Sequence, residues 1–209
     1  SDQGLCGPMN DRVVRLARKT TPNPTLTFTA GAQVTDRLKL EGQNIAHEFR
    51  VPGSVAGITP AVQQIVLRLE KSQAALGIDN VQVFYATHLS RSSFRPKMEH
   101  LLPLDKAWLE RLAKMPRPSR CLPMFTLNID TLFSALVREH LFITIYRAIA
   151  ESLASENASR LAAMQRAEKN IEDRLGNLTR TFHQTRQATV TEELLDIVSA
   201  FEMLGSEER

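Results

Sequence analysis

The chain has 209 residues, 43% of them hydrophobic, and a formal net charge of +3. That length holds one large domain or two small ones, and that apolar content excludes wholesale disorder. The mild charge gives no argument for nucleic acid, no run of about 18 apolar residues marks a transmembrane helix, and no basic-then-apolar leader marks secretion.

Gly7-Pro8 opens a helix over residues 9–19, with proline in its tolerated first turn. Thr21-Pro22-Asn23-Pro24 is a loop. Residues 25–29 read as a β run ended by Gly31, and a second helix covers residues 32–41. Residues 49–51 form a short strand before Pro52-Gly53. Thr59-Pro60 reads as a helix cap and its first residue. Val62, Ile65, Val66 and Leu69 then repeat at helical spacing, up to Gly77. Residues 81–86 are the clearest strand, with further strands in 93–104 and 122–127. Helices interleaved with strands predict an α/β domain over residues 1–127, a sheet layered with helices.

The character then changes. After Pro123 there is no proline, and the only glycines are Gly176 and Gly205. Residues 128–209 form a second domain, in which 130–204 read as one helix of 75 residues. At about 1.5 Å per residue it would reach on the order of 110 Å. Asn157, Leu161, Met164, Glu168, Ile171, Leu175, Leu178, Phe182 and Thr185 follow alternating steps of four and three. That is a coiled-coil seam, and its flanks are charged: Arg166, Lys169, Glu172, Asp173 and Arg174. Val190, Leu194, Ile197, Phe201 and Leu204 form a second stripe. Eight residues separate Phe182 from Val190, one more than a heptad, which unwinds a supercoil locally. Arg186 and Gln187 sit in that break.

A coiled coil requires a partner helix, and the helices of residues 1–127 are short and tied to the sheet. The partner is expected to be another chain or a segment preceding Ser1. Ser1 to Gly7 reads as the turn after a strand, which favours a preceding segment. Charge is divided along the chain: +6 over residues 1–137, +2 over 138–187 and −5 over 188–209. A basic head and an acidic tail suggest different partners at the two ends.

Catalytic signals are weak. Cys6 lies where a helix start would lower a thiol pKa, but no acid or histidine is tied to it, and a buried structural role is expected. Cys121 lies in no motif. Two cysteines build neither a disulfide framework nor a four-ligand zinc site, and a reducing compartment is expected. His47, His88, His100, His140 and His183 show no metal-ligand spacing. The glycine-rich opening is neither GxGxxG nor GxxxxGK[ST], so neither a cofactor nor a metal is expected. Arg91, Arg95, Lys97, Lys106, Arg111, Lys114, Arg117 and Arg120 make a basic stretch, which an ordinary charged surface also explains.

Ser1-Asp2-Gln3-Gly4-Leu5-Cys6-Gly7-Pro8-Met9-Asn10 resembles the SDRGLCGGLN motif of F-type ATP synthase gamma subunits. Residues 140–204 resemble that family's C-terminal helix almost continuously. The resemblance runs through Ile145-Tyr146-Arg147-Ala148, Glu151-Ser152-Leu153-Ala154-Ser155-Glu156-Asn157-Ala158-Ser159-Arg160 and Ala163-Met164. It continues through Arg186-Gln187-Ala188, Val190-Thr191-Glu192-Glu193-Leu194 and Ile197-Val198-Ser199. Residues 20–125 match mainly in layout. Gln3 replaces the family's Arg, Pro8 its Gly, and 199–204 its small-residue ending, as in a divergent or sodium-linked gamma.

The resemblance implies a Rossmann-like α/β domain whose first strand lies before Ser1, followed by one long coiled-coil helix. It implies a non-catalytic rotor shaft in the central stalk, coupling ion-driven rotation of the membrane ring to ATP synthesis or hydrolysis. The implied partners are the alpha and beta subunits, the epsilon subunit, the c-ring and an N-terminal helix of the same subunit. The implied location is peripheral, on the cytoplasmic face of the membrane. By motif position, Arg186 and Gln187 would contact a beta-subunit loop, and Thr191, Glu193, Arg160 and Glu156 would add further contacts. The seam would be Leu161, Met164, Ile171, Leu175, Leu178 and Phe182. The alternative is that these are solvated faces of a long helix, a reading that weighs more for Thr191, Glu193, Arg160 and Glu156 than for Arg186 and Gln187. The competing functions are an α/β enzyme with an oligomerising helix, which needs a convergent polar site, and a coiled-coil scaffold or adaptor without ATPase coupling.

Overall fold

Proline and glycine punctuate the first half of the chain into short elements, and their loss after residue 123 leaves one long helix. The computed structural model describes residues 1–21, 26–90, 93–116, 121 and 124–207, and the side chains among them except at Ser90 and 200–207. By packing, the chain divides into two units, Ser1–Ala163 and Met164–Arg209.

The first unit begins with α1 (Met9–Thr20), which buries Met9, Asn10 and Val14. β1 (Thr27–Ala30), α2 (Ala32–Leu40) and β2 (Ile45–Phe49) then form a parallel βαβ unit, with Phe28 opposite His47 and Ala30 opposite Phe49. A 3₁₀ turn, Val55–Gly57, leads into α3 (Ile58–Leu76). Gly77 closes α3 in the left-handed conformation, where a side chain would be strained. β3 (Val81–Ser90) and β4 (Ser93–Leu102) form an antiparallel hairpin. α4 (Lys106–Lys114) and α5 (Ile129–Glu207) complete the chain.

α3 presents Ile58, Val62, Val66 and Leu69 on one face, all buried. They meet Leu101 of β4 and Leu141 and Ile145 of α5. Full burial of each aliphatic side chain is worth about 1.5–3 kcal/mol, so this cluster holds α3 and the start of α5 against the β3–β4 hairpin. The described strands make two separate two-stranded sheets, β1–β2 and β3–β4. A cavity of about 270 Å³ lies within the unit, lined by β1, by residues 81–86 of β3 and by Ile145, Ala148, Ile149 and Ser152 of α5.

Asp2 ties the opening turn to this frame. Its carboxylate accepts from the Ala32 N–H at 2.8 Å and from the Val51 N–H at 3.1 Å. It thereby satisfies the first amide of α2 and fixes the loop after β2. Gly31 permits the approach, because a Cβ there would lie 2.9 Å from Ser1 N. Cys6 is buried beside Asn10, whose Nδ2 lies 3.5 Å from its sulfur.

Three expectations need correction. The strand placed at 49–51 lies at Ile45–Phe49 and keeps only Phe49. Thr59 does not cap α3, which already starts at Ile58 with Gly57 as its cap residue. The strand expected over 122–127 is absent from the described residues 124–127, which run irregularly into α5, while Leu122 and Pro123 lie outside the described residues. The loop placed at residues 21–24 likewise lies outside them except for Thr21. α4 was not foreseen, although Asp105 caps it by accepting from the Ala107 N–H at 2.9 Å.

Candidate functional site

The residues singled out by sequence fall into two groups on α5. Glu156 and Arg160 belong to the first unit, and Arg186, Gln187, Thr191 and Glu193 to the second. Glu156 and Arg160 are one helical turn apart and paired at 2.5 Å. Glu156 is buried, and Arg160 also donates to Asn157 Oδ1 at 3.3 Å. A buried carboxylate fixes the fork of its arginine, leaving less conformational entropy to lose when Arg160 meets an anion.

Arg186, Gln187, Thr191 and Glu193 are exposed. Thr191 Oγ1 donates to the Gln187 carbonyl at 2.8 Å. Gln187 and Thr191 therefore share one face, and Arg186 shares another with Glu193, seven residues on. The side-chain donors of Arg186 and Gln187 suit a carboxylate-bearing partner.

The coiled-coil seam is bare. Leu161, Met164, Ile171, Leu175, Leu178 and Phe182 are 41–68% exposed. Val190, Leu194 and Ile197 of the second stripe are about half exposed as well. An exposed apolar stripe of this length, interrupted by Glu168, marks an interaction face.

Sequence reasoning missed a polar cluster where α5 meets the β3–β4 hairpin. Glu99 of β4 accepts from Tyr85 OH at 2.8 Å and Lys97 Nζ at 3.1 Å through Oε2, and from Arg147 of α5 through Oε1. Arg147 Nε also lies 3.9 Å from Glu151 Oε1, and Glu151 Oε2 accepts from Thr87 Oγ1. One turn on, Ser152 Oγ accepts from the Ala86 N–H and Ser155 Oγ donates to the Ala86 carbonyl, both at 3.2 Å.

The local sequence explains the arrangement. Ala86 faces Pro96, which has no N–H, across the hairpin. That pair is a non-hydrogen-bonded one, so Pro96 costs the ladder nothing and the Ala86 amide and carbonyl point outward to the serines. Burial alone would raise the Glu99 carboxyl, but hydrogen bonds from Tyr85, Lys97 and Arg147 outweigh it and hold its pKa below the ordinary value. Burial pushes the Tyr85 phenol up. Burial lowers the Arg147 guanidinium, and the hydrogen bond and charge of Glu99 more than reverse it. The one sequence signal was the i, i+4, i+8 spacing of Arg147, Glu151 and Ser155, which does not say what faces it.

Among the described residues, no three His, Cys, Asp or Glu side chains are grouped to hold a metal ion. Among them also, no helix is long and apolar enough to cross a membrane.

Comparison with known proteins agrees with this architecture. A family model described as ATP synthase matches residues 1–204, and the chain belongs to that family. Its similar relatives are gamma chains. The ATP synthase gamma chain of Granulibacter bethesdensis is 30% identical over 217 residues, covering 98% of this chain and 72% of the relative. That of Lawsonia intracellularis is 29% identical, covering 98% and 71%. A chain of the Euglena gracilis mitochondrial ATP synthase, in an OSCP/F1/c-ring structure, has a TM-score of 0.73 at 17% identity, covering 100% of this chain and 72% of its own. A chain of the Tetrahymena thermophila central stalk and c-ring has a TM-score of 0.62 at 23% identity, covering 80% and 73%. At these identities the structural likeness speaks for the fold, a mixed α/β unit with a long C-terminal helix. With one gamma chain 30% identical over nearly the whole chain, the family is narrowed to the ATP synthase gamma chains.

Proposed function

We propose that this chain works as the rotor shaft, with α5 standing inside the alpha/beta hexamer and the α/β domain meeting the epsilon subunit and the membrane c-ring. The functional division falls near residue 127, between the α/β domain and the shaft helix. The observation that carries this reading is the bare seam from Leu161 to Phe182. Its 3.5-residue period suits one partner helix, and an N-terminal helix of the same subunit supplies it. The strand leading into that helix's return would seat in the cavity between β1 and β3, where the Gln82 side-chain oxygen is buried with no partner among the described residues.

In this reading Arg186 and Gln187 bind acidic side chains on a beta-subunit loop. Thr191 and Glu193 add contacts on the same stretch, and Arg160, held by Glu156, contributes another lower on the helix. Coupling then consists of contacts that differ between rotational positions. The complex is peripheral, on the cytoplasmic face of the membrane. The scaffold alternative has no feature that favours it over this one.

The test is reconstitution. The full-length subunit is mixed with alpha and beta subunits, and ATP hydrolysis is followed together with assembly. Stimulated hydrolysis that tracks hexamer formation supports the shaft. Absence of both assembly and stimulation overturns it.

A further inference from the structure

A shaft of this design has to pass rotation from the α/β unit into α5, and this inference rests on that reading. The β3–β4 hairpin meets α5 through two kinds of contact. Val81, Val83, Leu101 and Leu102 pack with Leu141, Ile145, Ile149 and Leu153. Apolar burial is non-directional, so it opposes separation of the two surfaces more than sliding of one over the other. Hydrogen bonds and ion pairs weaken steeply with misalignment, so they oppose sliding.

Among the described residues the polar contacts start at Glu99, beside the apolar end of the hairpin, and run on to Ala86 and Thr87. The ladder begins with the apolar pair Val81–Leu102, and beyond it Val83 faces Glu99, Tyr85 faces Lys97 and Thr87 faces Arg95, so the hairpin grows more polar away from its open end. On α5 the partners Arg147, Glu151 and Ser155 lie on successive turns. Arg147 bridges the elements, taking Glu99 of β4 on one side and Glu151 of its own helix on the other. Glu99 is held from three directions by groups on all three elements.

We propose that Arg147 and Glu99 are positioning residues that lock the angular setting of the β3–β4 hairpin on α5, so that rotation imposed on the α/β unit is carried into the helix without slip. The pair touches no nucleotide and no site of chemistry. It acts by keeping the load path stiff, and the Ser152–Ala86–Ser155 contacts set the register along the helix.

The test uses the full-length subunit assembled with its alpha and beta partners. A bead is attached to the exposed Leu89 through Leu89→Cys, with Cys121→Ser removing the exposed thiol and buried Cys6 left in place. The hexamer is stalled with a non-hydrolysable ATP analogue, and the angular fluctuation of the bead is recorded. Arg147→Ala and Glu99→Gln should each widen that fluctuation by about twofold or more, while ATP hydrolysis of the bead-free complex stays unchanged. The double variant Glu99→Gln with Arg147→Ala should fluctuate no more than the wider of the two singles, because the two groups act as one contact, and Arg147→Lys should keep part of the stiffness because the charge stays and the fork is lost. A merely structural role would lower the amount of assembled complex and its hydrolysis, with the effects of the two singles adding. Unchanged fluctuation in the single variants, or additive widening in the double variant, overturns the inference. A wild-type bead that never rotates with ATP overturns the shaft reading and this inference with it.

Discussion

Ser155 Oγ of α5 lies 3.2 Å from the backbone carbonyl of Ala86 on β3 and 2.7 Å from the Glu151 carbonyl of its own helix, so its one proton is shared between a sheet edge and a helix turn. With Ser152 accepting from the amide of Ala86, two side chains complete a stretch of sheet edge that no strand among the described residues pairs. Ser155 and Ala86 are both buried, so the loss of either bond leaves a polar group away from water. Ser155→Ala should cost about 1–3 kcal/mol, and the double change with Ser152→Ala less than the sum of the two singles. Urea unfolding midpoints of the three variants measure this. A midpoint for Ser155→Ala equal to wild type would mean that water takes over the carbonyl.

Glu99 supplies a pH signature. Its folded pKa is depressed, so it binds a proton less readily in the folded state than in the unfolded chain. The stability it contributes is therefore fully present above the ordinary glutamate value, roughly 4.3, and is lost as pH falls through the depressed folded value. As pH falls below about 4.3, the denaturation midpoint of wild type should approach that of Glu99→Gln, whereas between pH 7 and that point the gap between the two should stay constant. Parallel curves over the whole range would show that the carboxylate contributes nothing specific.

The bare seam has its own consequence in solution. Without a partner helix, the stripe from Leu161 to Phe182 should drive association of the 209-residue chain with another copy, or else the helix should fray there. Ile171→Lys with Leu178→Lys should abolish concentration dependence in sedimentation. A monomer with a protease-resistant helix through residue 199, at all concentrations, would contradict a partner-seeking face.

Arg186 and Gln187 are tested in the assembled complex. Changing both to alanine removes the donors proposed for the beta-subunit loop. Hydrogen bonds to charged groups contribute about 1.5–3 kcal/mol each, so ATPase activity should fall at least several-fold. Helical circular dichroism should not change, because both residues are exposed on α5. Full turnover with both gone would remove their assigned role.

Much of the frame was legible because its signals are local. Pro8, Gly31 and Gly77 mark boundaries, and Val62, Val66 and Leu69 declare the buried face of α3 by spacing alone. The strand at Ile45–Phe49 was misplaced because its half-buried face includes His47, which packs edge-on against Phe28 and tilted against Phe49 instead of presenting an aliphatic signal. α4 was overlooked because its charges read as surface, although Asp105 and the run from Trp108 to Leu112 carry a helix start and period. The irregular course of 124–127 shows that apolar residues without a paired neighbour do not make a strand. On α5 the seam was readable from its period. The Arg147–Glu99 contact was not, because residues 48 positions apart follow no spacing rule.

Asp2 draws together amides at positions 32 and 51 with two oxygens of one short side chain. Chemically that is a demand for two acceptors at once, and only a carboxylate of that length meets it. Asparagine has almost the same shape, yet whichever way its amide is turned, one backbone N–H would face another donor. Glutamate keeps both acceptors but carries them one methylene too far. At this corner, size and polarity are poor guides to which substitutions are mild, and the count of lone pairs is the better one.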